Sequence, residues 1–137
     1  MSLDTSNWLA VHAARRSYRV PYHHARQAMK REGDWVEFAS RRGDAQFAAR
    51  YRPTGSVFHA EPGTFEHFMA ERYCLYTLDA QQELLRGDIK HKPWPLQPAE
   101  AQIGDNTMAR PYGVELTGEP RVHYAERVDV VFWPLTR

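Results

Sequence analysis

The sequence predicts a mostly β (α+β) domain, an antiparallel sheet closing into a barrel with one or two short helices. Three observations carry that reading. Residues 46–52 alternate strictly, with Phe47, Ala49 and Tyr51 on one side and Gln46, Ala48, Arg50 and Arg52 on the other. That is the period of a half-buried antiparallel strand. Turn signals recur at short intervals, at Gly33-Asp34, Gly43-Asp44 and Gly118-Glu119-Pro120, which suits many short strands. Helical spacing appears only briefly, around Trp8 and around Phe65.

Taken in order, Ser6 or Asn7 can cap a short helix through Trp8, Leu9, Val11 and Ala14, because a short polar side chain accepts an orphan backbone N–H. Ser17 to Lys30 reads as strand with a break near Pro21. Gly33-Asp34 turns the chain into a strand over Trp35 to Arg41. Gly43-Asp44 turns it again into Gln46 to Arg52, which Pro53-Thr54-Gly55-Ser56 closes.

The central stretch, Thr64 to Glu100, positions the rest. Thr64 follows Pro62-Gly63 and can cap a helix whose apolar face carries Phe65, Phe68, Met69 and Tyr73. Glu66 in its first turn and Arg72 near its last suit the helix dipole. From Tyr73 the pattern alternates as a strand with both faces largely covered. Asp79-Ala80-Gln81-Gln82 is a turn, and Glu83 to Lys90 returns as a hairpin strand. Pro93, Pro95 and Pro98 lack the N–H that a central strand needs. They hold Trp94 and Leu96 on a stiff, extended segment. Trp94 then either walls a pocket or plugs one end of the barrel.

Beyond it, Ala99 to Ile103 reads as a short strand, Asp105 to Met108 as a helical turn ending before Pro111, and Tyr112 to Leu116 as a brief strand. Arg121 to Leu135 reads as a long central strand. Residues 1–137 form one domain, since no repeat or linker divides a chain of this length.

Composition narrows the function classes. A net charge of +1, from 18 basic and 17 acidic residues, lacks the basic excess of a general nucleic-acid binder. The early basic cluster, Arg15 to Arg42, reads as solvated strand and turn faces. A single cysteine, Cys74, excludes an internal disulfide and lies in an apolar run, as a small buried hydrophobe does. No apolar run is long enough to span a bilayer, and the N-terminus lacks a signal-peptide layout, so the cytoplasm is the default compartment.

Several blocks of the chain resemble a known bacterial family. They are Arg-Ser-Tyr-Arg-Val-Pro-Tyr (16–22), Ala-Arg-Tyr-Arg-Pro-Thr-Gly (49–55), Glu-Arg-Tyr-Cys-Leu-Tyr-Thr (71–77), Pro-Trp-Pro-Leu-Gln-Pro-Ala-Glu (93–100), Asn-Thr-Met (106–108) and Val-Asp-Val-Val-Phe-Trp-Pro-Leu (128–135). Together they resemble the YqjF-like family, whose function is unknown and which is grouped with acetoacetate decarboxylase-like barrels. The resemblance implies a closed antiparallel barrel with a central cavity. It also implies longer relatives, whose N-terminal strands have no counterpart here, so that an edge of the sheet is exposed. Exposed edges recruit other chains, and a homodimer covering the edge is the expected partner arrangement.

Acetoacetate decarboxylase-like enzymes use a lysine just after a Tyr-Pro pair to form a Schiff base. The comparable segment, Tyr18-Arg19-Val20-Pro21-Tyr22-His23-His24, has none. Arginine stays protonated and forms no imine, so Schiff-base decarboxylation is not expected.

Other candidates are weaker as motifs. His23 and His24 are strand neighbours and point to opposite faces, so no shared metal ion is expected. No zinc spacing, phosphate loop or nucleophile elbow is present, and no cofactor is expected. His91 could act as acid or base if Glu71 or Glu100 came close, or be a polar residue at a strand end. Glu71 and Arg72 could orient a small acidic or carbonyl ligand, or brace the barrel with Arg50. Tyr22, Tyr73, Tyr76 and Trp94 could line a cavity or simply pack.

Three functional readings follow. The first is a domain that binds a small organic molecule in its cavity without Schiff-base chemistry, contacting it through Arg50, Glu71, Arg72, His91, Trp94 and Glu100. The second is an enzyme on a small carbonyl or carboxylate substrate with His91 or Glu71 as proton carrier. The third is a non-catalytic interaction domain pairing through its sheet edge.

Overall fold

Gly33 and Gly43, at φ +59° and +57°, turn the chain twice in a conformation that side-chain-bearing residues resist. The result is a meander of three antiparallel strands, β3 (Arg26–Glu32), β4 (Trp35–Arg42) and β5 (Ala45–Pro53). In this computed structural model, residues 3–137 are described. The meander pairs onward with β8 (Gln97–Asn106) and β9 (His123–Tyr124), giving the order β3-β4-β5-β8-β9. A register shift between Phe47 and Ala49 marks a bulge against β8.

Before the meander lie β1 (Leu3–Thr5), α1 (Trp8–Ala13) and β2 (Tyr22–His24). Asn7 caps α1, its side chain accepting from the Ala10 N–H at 3.2 Å. β1 and β2 pair in parallel. Arg42 holds Asp4 through Nε, at 3.1 Å from Oδ1 and 3.2 Å from Oδ2, which ties β1 to the end of β4.

The central stretch forms α2 (Phe65–Ala70), β6 (Cys74–Leu78) and β7 (Leu84–His91). With β10 (Val130–Phe132) these strands make a second antiparallel sheet, ordered β10-β7-β6. Thr64 caps α2 by accepting from the His67 N–H at 3.2 Å. Asp79 closes the β6–β7 turn, accepting from the Gln81 and Glu83 N–H groups at 2.8 and 2.9 Å.

The mostly β class with few short helices holds, but the sheets do not close into a barrel. The large sheet ends in β3 on one side and β9 on the other, and it shares no strand with the small sheet. β1 and β2 also depart from antiparallel pairing. Arg121–Leu135 is not one central strand. Only His123–Tyr124 and Val130–Phe132 pair, each at the border of a different sheet. The charges of Glu126, Arg127 and Asp129 break the apolar run between them, and Arg127 pairs locally with Asp129 at 2.7 Å.

Other boundaries moved for local reasons. Ala14–Tyr18 continues α1 as a π-helical turn, so strand begins at Tyr22 rather than Ser17. α2 stops at Ala70, leaving Arg72 and Tyr73 outside it. Asp105 and Asn106 extend β8, and the single helical turn falls on Arg110–Tyr112, taking in Pro111. Residues 113–116 form no strand. Pro98 lies second in β8, where its carbonyl still accepts from the Thr54 N–H at 2.8 Å.

The core is small. Among the described residues, the buried apolar side chains are Val11, Ala25, Val36, Ala45 and Leu96. Phe65, Phe68 and Met69 on α2, and Tyr76 and Leu78 on β6, are exposed, so neither the helix face nor both faces of that strand are covered as the sequence implied.

Candidate functional site

The joint between α2 and β6 gathers part of the expected cluster. Glu71 is the C-cap of α2. Its Oε2 accepts from the Tyr73 hydroxyl, and its Oε1 accepts from the Trp94 N–H at 3.2 Å. Burial alone would push the Glu71 carboxyl up, but these two hydrogen bonds, with the neighbouring His91 and His67, outweigh it and hold the group below its ordinary value. The Tyr73 hydroxyl is pushed up by the same bond, by burial and by the carboxylate charge.

His91 stacks on Tyr73, ring centroids 4.6 Å apart and 14° from parallel, and meets the edge of Trp94 at 6.3 Å. Its Nδ1 is 2.8 Å from the Lys92 carbonyl, and its Nε2 is 3.1 Å from the Arg72 carbonyl. Carbonyls only accept, so a neutral ring donates to one of them and an imidazolium to both. The Glu71 carboxylate, the Tyr73 hydroxyl and both His91 ring nitrogens are thus engaged in joining α2, β6 and the proline segment. A carboxylate held ionised is a weak base and no acid.

The structure therefore brings Glu71, His91 and Trp94 together and separates the other three. Arg72 contributes only its backbone carbonyl here, while its guanidinium lies 3.8 Å over the Phe68 ring. Arg50 and Glu100 sit on the large sheet. Trp94 faces the other way, into a shallow pocket of about 250 Å³ with Phe65, Met69, Leu96 and His123, its indole Nε1 buried without a partner. Of the other tyrosines, Tyr76 lies exposed on the outer face of β6.

The larger concavity is a trough of about 600 Å³ across the five-stranded sheet. Paired residues of antiparallel strands share a face. Ala28, Ala39 and Ala48 form one transverse row, and Lys30, Glu37, Arg50 and Gln102 the next on the same face. The alanines leave the space between the rows open, so the floor is backbone and methyl groups. Trp35, one row further, carries Arg50 at 4.2 Å and Arg52 at 4.8 Å over its ring. Arg52 is also paired with Glu100, so Glu100 is already neutralised. Arg50 is different. Among the described residues no acceptor or carboxylate bonds its guanidinium, and its Nε is buried without a partner.

Sequence reasoning missed Trp35 and the alanine row. The alternation of residues 46–52 placed Ala48 and Arg50 on one face, but the cross-strand register that adds Ala39, Ala28 and Trp35 is a tertiary property.

His23 does not meet a metal partner; its Nδ1 is 3.1 Å from an Arg15 guanidinium nitrogen. Among the described residues, no three His, Cys, Asp or Glu side chains are grouped to hold a metal ion. No helix is long and apolar enough to cross a membrane.

The uncharacterised protein YqjF of Bacillus subtilis (strain 168) is 40% identical over 140 aligned positions, covering 99% of this chain and 57% of that protein. The chain thus spans little more than half the length of this relative. No solved structure matches. The model of the DUF2071 family, an uncharacterised conserved protein family, matches residues 1–129, and the chain belongs to that family.

Proposed function

We propose that this chain binds a small organic anion in the alanine-floored trough, without Schiff-base chemistry, as a relative of the acetoacetate decarboxylase-like group. The observation that carries the reading is Arg50. It is a cation on the wall of an apolar concavity, held on Trp35 and given no counter-ion by the described residues. A guanidinium so placed suits a carboxylate bidentately, and the flat floor suits a planar apolar body.

Among the described residues Lys30, Lys90 and Lys92 are all exposed, so none is the desolvated amine that imine chemistry favours. Lys30, on the rim, is exposed and 3.6 Å from Glu32. An acid–base role for Glu71 or His91 has less support, because their polar atoms are engaged by Tyr73, Trp94 and two carbonyls.

Titration with benzoate, followed by methyl NMR, tests the proposal. The Ala28, Ala39 and Ala48 methyl signals are expected to shift together, and Arg50→Gln to weaken binding by about tenfold or more. Ala48→Leu should fill the trough and abolish the shifts. Benzoate shifts confined to other residues, or unaffected by Arg50→Gln, would sink it.

A further inference from the structure

The accessible surface of the chain is 10286 Å², whereas a folded monomer of its 15.9 kDa mass exposes about 7,400 Å². The surplus is roughly 2,900 Å², and one part of it is an ordered apolar face. On the small sheet, Cys74, Tyr76 and Leu78 of β6 share a side with Leu84, Arg86 and Asp88 of β7 and with Val131 of β10. Trp133 continues that row, its N–H bonding the Asp88 carbonyl at 3.0 Å. Tyr76, Leu78, Leu84, Val131 and Trp133 are 46–61% exposed. Of the charges on this face, Arg86 and Asp88 pair at 2.8 Å, and Lys90 stands opposite Val131 towards the end of β7.

The large and small sheets have four borders, β3 and β9 on the large one and β10 and β6 on the small one, and the two longest of these, β3 and β6, differ. β3 carries Arg26, Lys30, Arg31 and Glu32, the kind of charge that keeps an edge from pairing. β6 reads Cys-Leu-Tyr-Thr-Leu, with no charge, proline or glycine. Among the described residues its outer backbone edge has no partner. Among the described residues, its hydrogen bond beyond β7 is that of the Thr77 hydroxyl donating to the Arg19 carbonyl, on the opposite face.

We infer that a second copy of this chain pairs with β6. Two β6 strands meet antiparallel across a twofold axis, and the sheets continue as β10-β7-β6-β6-β7-β10. Three features favour a second copy over an unlike partner. The edge is uncharged and self-complementary. The one further charge on the face, Lys90, lies on β7 and off the β6 edge, and the chain's own net charge of +1 repels a copy only weakly. Obligate dimers bury roughly 1,000–2,500 Å² on each chain, which is the order of the surplus.

Light scattering and hydrogen exchange across a dilution series test this. Twice the 15.9 kDa chain mass is expected, with β6 amides protected like those of β7 at high concentration and released on dilution. Tyr76→Lys, at an exposed position, should weaken dimerisation by about tenfold or more through like-charge contact at the axis. Met29→Lys in β3 should leave the mass unchanged. A monomer at every concentration overturns the inference and leaves the face to another segment, such as one equivalent to the unmatched part of YqjF. A dimer whose β6 amides stay unprotected, or which Tyr76→Lys leaves intact, overturns it equally.

Discussion

The Tyr73 hydroxyl donates to the Glu71 carboxylate across the end of α2, and the same carboxylate accepts from the Trp94 backbone. The helix end, the start of strand β6 and the distant proline segment therefore meet on one ionised group. Two residues separated by one position turn a helix end into a strand start.

This joint has a definite pH signature. Glu71 is held below its ordinary value of 4.5, so the unfolded chain binds its proton first as pH falls. The stabilisation is present above about pH 4.5 and is lost as pH drops through the lower, folded value. Tyr73 is held above its ordinary value of 10.0, so its share is present below that pH and is lost as pH rises through the folded value. Tyr73→Phe should cost about 1 kcal/mol near neutrality. It should also flatten both limbs in urea-denaturation midpoints measured against pH. A variant with the acid limb of the native chain would show that the bond does not set it.

What the sequence revealed about this region, and what it hid, follows one physical division. Thr64 and Asn7 were readable as caps because capping is local. Gly33 and Gly43 were readable as turns for the same reason. The faces of β5 were readable because alternation is local too. Closure was not. The apolar run from Val128 to Trp133 looked like a central strand, since burial in a sheet and exposure on its border use the same residue types. The site divided in the same way. Glu71, Arg72 and the Pro93 block are near enough in sequence to be guessed together. The partnership of Arg50 with Trp35 depends on how β4 registers against β5.

That partnership makes Trp35 a positioning residue for Arg50. The ring supports two guanidinium groups, each contact worth about 0.5–1 kcal/mol at such sites. Trp35→Leu should destabilise the fold by about 1 kcal/mol. Arg52 keeps Glu100 as its partner, whereas Arg50 loses its support. Benzoate affinity, measured by calorimetry, should therefore fall in Trp35→Leu with little further loss in Trp35→Leu/Arg50→Gln. Additive losses would mean that the ring acts on the ligand directly.

The cap of α2 gives a prediction of a different kind. Thr64 accepts from the His67 N–H and donates to the Glu61 carbonyl at 2.7 Å. The helix has only six residues and buries no side chain fully, so packing cannot replace the cap. Thr64→Ala should cost about 1 kcal/mol, and Thr64→Ser much less. Exchange of the α2 amides should quicken in the alanine variant before that of β5. Equal acceleration in both places would mean that the helix unfolds only with the whole domain.

Gly87 is a tight point of the small sheet. It is buried, and it stands opposite Leu75 on β6. A Cβ there would lie 3.0 Å from Leu135 Cδ2 and 3.3 Å from Leu75 Cγ. The backbone is ordinary, so the constraint is space rather than conformation. The Leu135 side chain seats on the sheet at this glycine, beside Thr136, whose N–H and carbonyl both bond Arg86. Gly87→Ala must push Leu135 or Leu75 aside and should cost about 1–3 kcal/mol. Leu135→Ala removes one obstacle, so Gly87→Ala should be milder in that background. A double-mutant cycle on unfolding midpoints reads the coupling, expected to exceed about 0.5 kcal/mol for side chains in contact. If the two losses simply add, the C-terminal segment does not rest on Gly87, and the small sheet is held by its ladders alone.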